Sequence, residues 1–276
     1  MDIMVNGTSV ASGWGSGTES FSGFSTSHSW PHWFANRCHA TNLWNHSFPS
    51  KPTTLTIRDQ YNFCKQYISQ GYNPQDLLCL IEFLLPANPV FIKFETDHEV
   101  IFPILMHNDP VKLSLADINS EWTEFFVSSP NKPDYFSGSI YTPVSIRNIR
   151  KDNYYIAKAR YFATHSLSAR LFELQAQIAS LQTWLHEHGF NYLMFWACGD
   201  GDSNRKFIDR TLVNRMPHPE RYIPMREFTS MNWGAAQSLE PKQAHPDLTG
   251  NKKIAEYLFE QTTRRNAWPR AQLIPV

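Results

Sequence analysis

The sequence predicts an α/β fold, a three-layer α/β/α sandwich around a mostly parallel central sheet. Three observations lead there. Short apolar runs bounded by turn residues recur along the chain. Segments with helical spacing of apolar residues separate them. The most apolar run, Leu77 to Leu85 (LLCLIEFLL), lies between Asp76 and Pro86, a length that favours a strand buried on both faces over a helix. Strands alternating with helices imply parallel crossovers that cover both faces of one sheet.

Ile3 to Asn6 is a short apolar run that stops at Gly7, as a buried strand does at a tight turn. Gly13 to Ser29 is dominated by Gly, Ser and Thr, a loop composition, and Trp30-Pro31 opens a helix expected to run through Arg37. A second strand is expected over Thr41 to Trp44. Ile57, Tyr61, Cys64 and Ile68 give Leu55 to Gln70 a helical stripe that Gly71 ends. Glu82 is the anomaly of the third strand. Leu167, Leu171, Leu174, Ile178, Leu181 and Leu185 form one helical stripe. It covers under three heptads and stops at Gly189, which favours packing on the sheet over a coiled coil. A strand over Tyr192 to Ala197 and a helix from Leu248 to Gln261, with Ile254, Tyr257, Leu258 and Gln261 on one face, complete the pattern.

A chain of 276 residues is long enough for one large domain, read here as residues 1–276. Residues 86–148 are expected to be an insertion or lid, with a helix near Leu115 to Phe126 and a Tyr/Ser/Pro-rich connection at Tyr135 to Pro143. Twenty-five basic and 25 acidic residues give a formal net charge of zero and no electrostatic reason to expect a nucleic acid or an anionic membrane as partner. The start, MDIMVNGTSV, lacks a signal-peptide pattern, and no run approaches the roughly 20 apolar residues that span a bilayer. A cytoplasmic location is therefore expected. Cys38, Cys64, Cys79 and Cys198 are scattered without a CxxC pair, so neither a disulfide framework nor a metal site is expected. Nor is there a P-loop or dinucleotide fingerprint, and no cofactor is implied.

In open parallel sheets ligands bind at the carboxyl ends of strands, so the first strand-to-loop junction, Gly7-Thr8-Ser9-Val10-Ala11-Ser12-Gly13, draws attention first. A serine on a glycine-flanked turn there projects its hydroxyl from the sheet edge, with its own N–H directed at the same spot. Taken alone, such a turn is common where no chemistry occurs. The second feature is His245-Pro246-Asp247-Leu248-Thr249-Gly250, just before the last helix, where an imidazole can take a proton from a serine and return it to a leaving group.

Gly7-x-Ser9-x-x-x-Gly13 after the first strand, with His245-Pro246-x-x-x-Gly250-x-x-x-x-Ala255 at the last helix, resembles the SGNH/GDSL hydrolase family. Ser29-Trp30-Pro31 is similar to the first-helix start of many members, bacteriophage-encoded ones included. The resemblance implies a flavodoxin-like sheet, with Ser9 as nucleophile and His245 as base. It also implies an oxyanion hole from the N–H groups of Ser9 and Ser50, in the segment Asn42 to Pro52, with Asn88 as side-chain donor. Departures are clear. Thr8 replaces the usual Asp, the Gly-x-Asn-Asp block is not intact, and Gln243 and Lys242 occupy the positions of the acid, leaving Glu240 and Asp247 as candidates.

Two functions follow from the resemblance. The first is an esterase or deacetylase acting on a small acyl ester, such as an O-acetylated carbohydrate, through a Ser9–His245 dyad. The alternative is an inactive SGNH-like binding or structural protein, a homo-oligomer or a virion component, since a fold outlasts its chemistry. The loop Gly199 to Asn204 is neither a displaced GDS block, because its strand is late, nor an EF-hand, because Arg205 and Thr211 stand where Gly and Glu are needed. His186 and His188 are expected to meet helix-terminal carbonyls.

Overall fold

The structure, a computed structural model, describes residues 1–13, 28–47, 51, 53–84, 90–95, 98–103, 167–198, 215–240 and 245–268. The chain divides into two units, one made of Met1–Pro86 with Leu171–Val276, the other of Ala87–Arg170.

In the first unit, β1 (Asp2–Asn6) is buried at every position and is followed by α1 (Trp30–Arg37). Pro31 falls in the first turn of α1, where its missing N–H costs nothing. β2 (Asn42–Asn45) is the half-exposed edge strand, and α2 (Thr53–Ser69) begins two residues before the expected start. β3 (Leu77–Phe83) is buried along its whole length, as an apolar run of that size requires. In the second unit β4 (Val90–Glu95) and β5 (His98–Pro103) form an antiparallel hairpin inside the segment read as an insertion. The helix and connection expected at 115–126 and 135–143 lie outside the described residues. The last elements are α3 (Leu167–Glu187), β6 (Asn191–Trp196), α4 (Ser230–Ala236) and α5 (Leu248–Arg264).

β2, β1, β3 and β6 form one sheet in that order, parallel throughout. Asn6 pairs with Ile81, and Glu82 with Phe195. Beyond β6 the chain touches the sheet again at Tyr222 opposite Met194 and Thr229 opposite Trp196, both parallel. With the hairpin set aside, the four strands run in the order 2-1-3-4 of a flavodoxin-like sheet, and the bridges at Tyr222 and Thr229 lie at the β6 edge, where such a sheet has its fifth strand.

The period of two in the strands sorts the core into two layers. Met4, Cys79, Ile81 and Phe83 face Ile57, Cys64 and Tyr67 of α2 and Ile178, Leu181 and Leu185 of α3. Ile3, Val5, Leu78, Leu80 and Phe195 face Trp30 and Phe34 of α1 and Ile254 and Leu258 of α5. Each such side chain contributes about 1.5–3 kcal/mol of burial, so both faces are strongly held. The helical stripe of α3 thus packs on the sheet. The four cysteines are free, and Cys64 Sγ lies 3.9 Å from Cys79 Sγ inside one core layer. Among the described residues no helix is long and apolar enough to cross a membrane.

Candidate active site

In a sheet of this order the crossovers leave from opposite sides on either side of β1, and the crevice this opens lies at the carboxyl ends of β1 and β3. Ser9 stands there, three residues beyond the end of β1. The turn that carries it is tightly closed. The Ser12 N–H donates to the Thr8 carbonyl at 3.0 Å, Gly13 N–H to the Val10 carbonyl at 3.1 Å, and the Ser12 hydroxyl to the Ser9 carbonyl at 2.8 Å. Gly7 is required by contact: a Cβ there would lie 2.6 Å from Glu82 Oε2 and 2.9 Å from Glu82 Cβ.

The sequence places Ser9 and His245 at opposite ends of the chain, and the fold brings them together: Ser9 Oγ lies 2.9 Å from His245 Nε2. That is hydrogen-bond distance for a nucleophile and its base. The His245 turn is held by its neighbours. Asp247 caps α5: its Oδ1 accepts from the Gly250 N–H at 2.8 Å, and its Oδ2 from the N–H groups of Leu239 and Glu240, both at 2.9 Å. Burial raises the Asp247 carboxyl, but these bonds and one with Ser238 outweigh it and hold it below the ordinary carboxylate range. Both Asp247 oxygens are therefore committed to backbone N–H groups. Glu240 is exposed, and its N–H is given to Asp247. Gln243 and Lys242 lie outside the described residues.

Asn251, unremarked in the sequence, joins α1 to this turn. Its Oδ1 accepts from the Trp30 N–H at 3.0 Å, and its amide donates to the carbonyls of Pro246 and Asp247, each at 3.0 Å. Gly250 permits α5 to approach α4, since a Cβ would collide with the Gly234 carbonyl and the Ser238 hydroxyl.

Two buried polar clusters flank the Ser9 turn. On the α1/α5 side, Glu82 is fully buried; its Oε2 accepts the Thr8 N–H at 2.7 Å and the Thr8 hydroxyl at 2.9 Å, while Oε1 accepts the Ser230 hydroxyl. Burial pushes the Glu82 carboxyl up, and the donors of Ser230, Thr8 and Ala11 pull it back. On the α2 side, Lys51 is also fully buried. Its Nζ meets Asp59 Oδ2 at 2.6 Å, Asn6 Oδ1 at 2.6 Å and the His46 carbonyl at 2.9 Å. Asn6 in turn donates to the Thr56 carbonyl at 3.0 Å, and Asn45 donates to the Ala11 carbonyl at 2.8 Å. The β2-to-α2 connection is thus tied to β1 and to the Ser9 turn at both ends. His46, within it, is held to about 4, by burial first and then by Lys51, against the pull of Asp59.

Ser50 and Asn88 lie outside the described residues, as do the loop Gly199 to Asn204 and residues 14–27 of the Gly/Ser/Thr-rich loop. His188 Nδ1 lies 2.8 Å from the Trp184 carbonyl, the helix-end contact expected of it, whereas the His186 ring stacks on that of His218 at 3.9 Å. Among the described residues no group of His, Cys, Asp or Glu could hold a metal ion. Of the supporting residues, Glu82 alone carried a sequence signal, a charge inside an apolar strand. Lys51, Asp59 and Ser230 carried none, because their partners are distant in the chain.

The chain is thus a doubly wound α/β protein with a Ser–His pair at the switch point of its sheet. Neither a family model nor a curated protein matches it. Among solved structures it is similar to TesA, with 10% sequence identity and a TM-score of 0.47 over 96% of this chain and 99% of that one. It is also similar to the psychrotrophic esterase EstA from Pseudoalteromonas sp., in a form inhibited by monoethylphosphonate (9% identity, TM-score 0.47, 95% and 97% covered). A third similarity is to the acetyl xylan esterase Est2A from the rumen bacterium Butyrivibrio proteoclasticus (11% identity, TM-score 0.44, 97% and 64% covered).

Proposed function

We propose that this chain is a serine hydrolase of the SGNH/GDSL type that cleaves small acyl esters, an O-acetylated carbohydrate being the substrate class to try first. The observation that carries the reading is the 2.9 Å contact between Ser9 Oγ and His245 Nε2 at the carboxyl edge of a parallel sheet. Ser9 Oγ attacks the acyl carbonyl carbon as His245 Nε2 takes its proton. The oxygen of the tetrahedral intermediate is met by the N–H of Ser9. Collapse expels the alcohol, which leaves with the proton from His245. Water then attacks the acyl-serine with His245 again as base, releasing the acid and restoring Ser9. Glu240 is the carboxylate of this region whose side chain is not used as the cap of α5.

A fluorophosphonate probe tests the assignment directly. Wild type is expected to be labelled and to hydrolyse p-nitrophenyl acetate, with both activities lost in Ser9→Ala and His245→Ala. Absence of label on folded wild type would overturn the reading and favour the alternative of an inactive binding protein. Label that survives Ser9→Ala would move the nucleophile elsewhere. Release of acetate from acetylated xylan, set against p-nitrophenyl esters of longer acids, then separates the carbohydrate substrate from a general short-chain ester.

A further inference from the structure

Glu82 occupies a position where the strand calls for an apolar side chain. It lies on β3 between Ile81 and Phe83, opposite Phe195, with no exposed surface. A buried carboxyl group is expensive unless its oxygens are fully hydrogen-bonded. Here the donors come from two places. Thr8 gives its N–H and its hydroxyl and Ala11 its backbone, so the residues on either side of Ser9 and Val10 are bound to one side chain. Ser230, the first residue of α4, gives its hydroxyl to the other oxygen. α4 in turn packs on the residue after His245: a Cβ on Gly234 would lie 2.7 Å from Pro246 Cγ. One carboxyl group therefore connects the turn bearing Ser9 with the helix that supports the His245 turn.

We propose that Glu82 is a positioning residue for the Ser9–His245 pair, holding the Ser9 turn and α4 in one fixed relation. The inference rests on the hydrolase reading. An apolar residue in its place would leave the fully buried Thr8 N–H without its acceptor, and the turn would relax to find another. A displacement of about 1 Å between reacting groups lowers a rate by about 100-fold. Glutamine, in contrast, can keep the geometry: its oxygen accepts from Thr8, and its amide donates to the Ser230 hydroxyl, which can accept.

The test compares Glu82→Gln with Glu82→Leu by kcat and KM for p-nitrophenyl acetate and by the rate of phosphonate labelling of Ser9. Glu82→Leu is expected to lose about 100-fold in kcat and in labelling rate, with KM within about twofold and a native circular-dichroism spectrum. Glu82→Gln is expected to stay within about threefold of wild type. Should Glu82→Leu fail to fold, Thr8→Val and Ser230→Ala each delete one hydroxyl donor and are each expected to lower kcat several-fold at unchanged KM. The proposal is overturned if folded Glu82→Leu labels and turns over like wild type, or if Glu82→Gln is as slow as Glu82→Leu. It is also overturned if Glu82→Leu is unfolded while both hydroxyl deletions leave kcat unchanged. Wild type that neither labels nor turns over fails at the earlier step, the hydrolase reading, and takes this inference with it.

Discussion

Replacing Lys51 by methionine removes a cation from a site closed to solvent. Lys51 has no exposed surface, and the Asp59 side chain that faces it across 2.6 Å is 7% exposed. Burial lowers the Lys51 pKa and Asp59 opposes that shift, so the two charges depend on each other. Methionine fills the space of the stem but donates nothing. The Asp59 carboxylate is then left without its partner, and the Asn6 and His46 oxygens lose the same donor. Deleting one partner of a buried ion pair costs about 3–5 kcal/mol. Total stabilities are about 5–15 kcal/mol, so this is a large fraction. At about 2–4 °C per kcal/mol for domains of roughly this size, Tm should fall by about 6–20 °C. Asp59→Leu should be comparably damaging, because it leaves the ammonium buried without the carboxylate that balances its charge. Combining the two removes both charges, and the double variant should recover at least about 2 kcal/mol relative to the sum of the single losses. Thermal unfolding of the four proteins, followed by circular dichroism at pH 7, completes the cycle. Losses that simply add would refute the reasoning, since they would mean that neither charge feels the other.

Two further outcomes follow from the same neighbourhood. His46 titrates at about 4 in the folded chain against 6.5 ordinarily, so as pH falls the unfolded chain takes up the proton first and stability is lost between about 6.5 and 4. Between pH 7 and pH 5 wild type should lose about 2 kcal/mol more than His46→Gln, measured from urea midpoints; equal losses would show that His46 is not the group responsible. Asp247→Ala uncaps α5 and frees the Leu239 and Glu240 N–H groups. It should cost about 1–2 kcal/mol and slow phosphonate labelling of Ser9, and an unchanged Tm would remove Asp247 from the role of cap.

What the sequence by itself determined were features written in local pattern. The apolar runs of β1, β3 and β6 have strand length between turn residues, and the stripes of α2, α3 and α5 carry the helical period, so the layered α/β class followed from them. Glycine or proline marked the ends of β1, α2, β3 and α3 and the start of α1, and the Gly-x-Ser and His-Pro segments marked the two turns that meet. The short helix α4 and the contact of Tyr222 to Thr229 with the sheet escaped, because seven residues whose buried positions are Ser230 and Gly234 show no apolar stripe, and isolated bridges have no local pattern. Only the tertiary structure decided the polar interior. Whether a buried charge is tolerated depends on donors and acceptors brought from elsewhere: Thr8 and Ser230 for Glu82, Asp59 and Asn6 for Lys51, Trp30 for Asn251. Those partners are set by strand order and helix packing, so they exist only once the chain has folded. Asp247 shows the same principle: nearness to His245 in the chain made it a candidate acid despite the wrong spacing, and folding turned its two oxygens toward the start of α5 and the Leu239–Glu240 backbone.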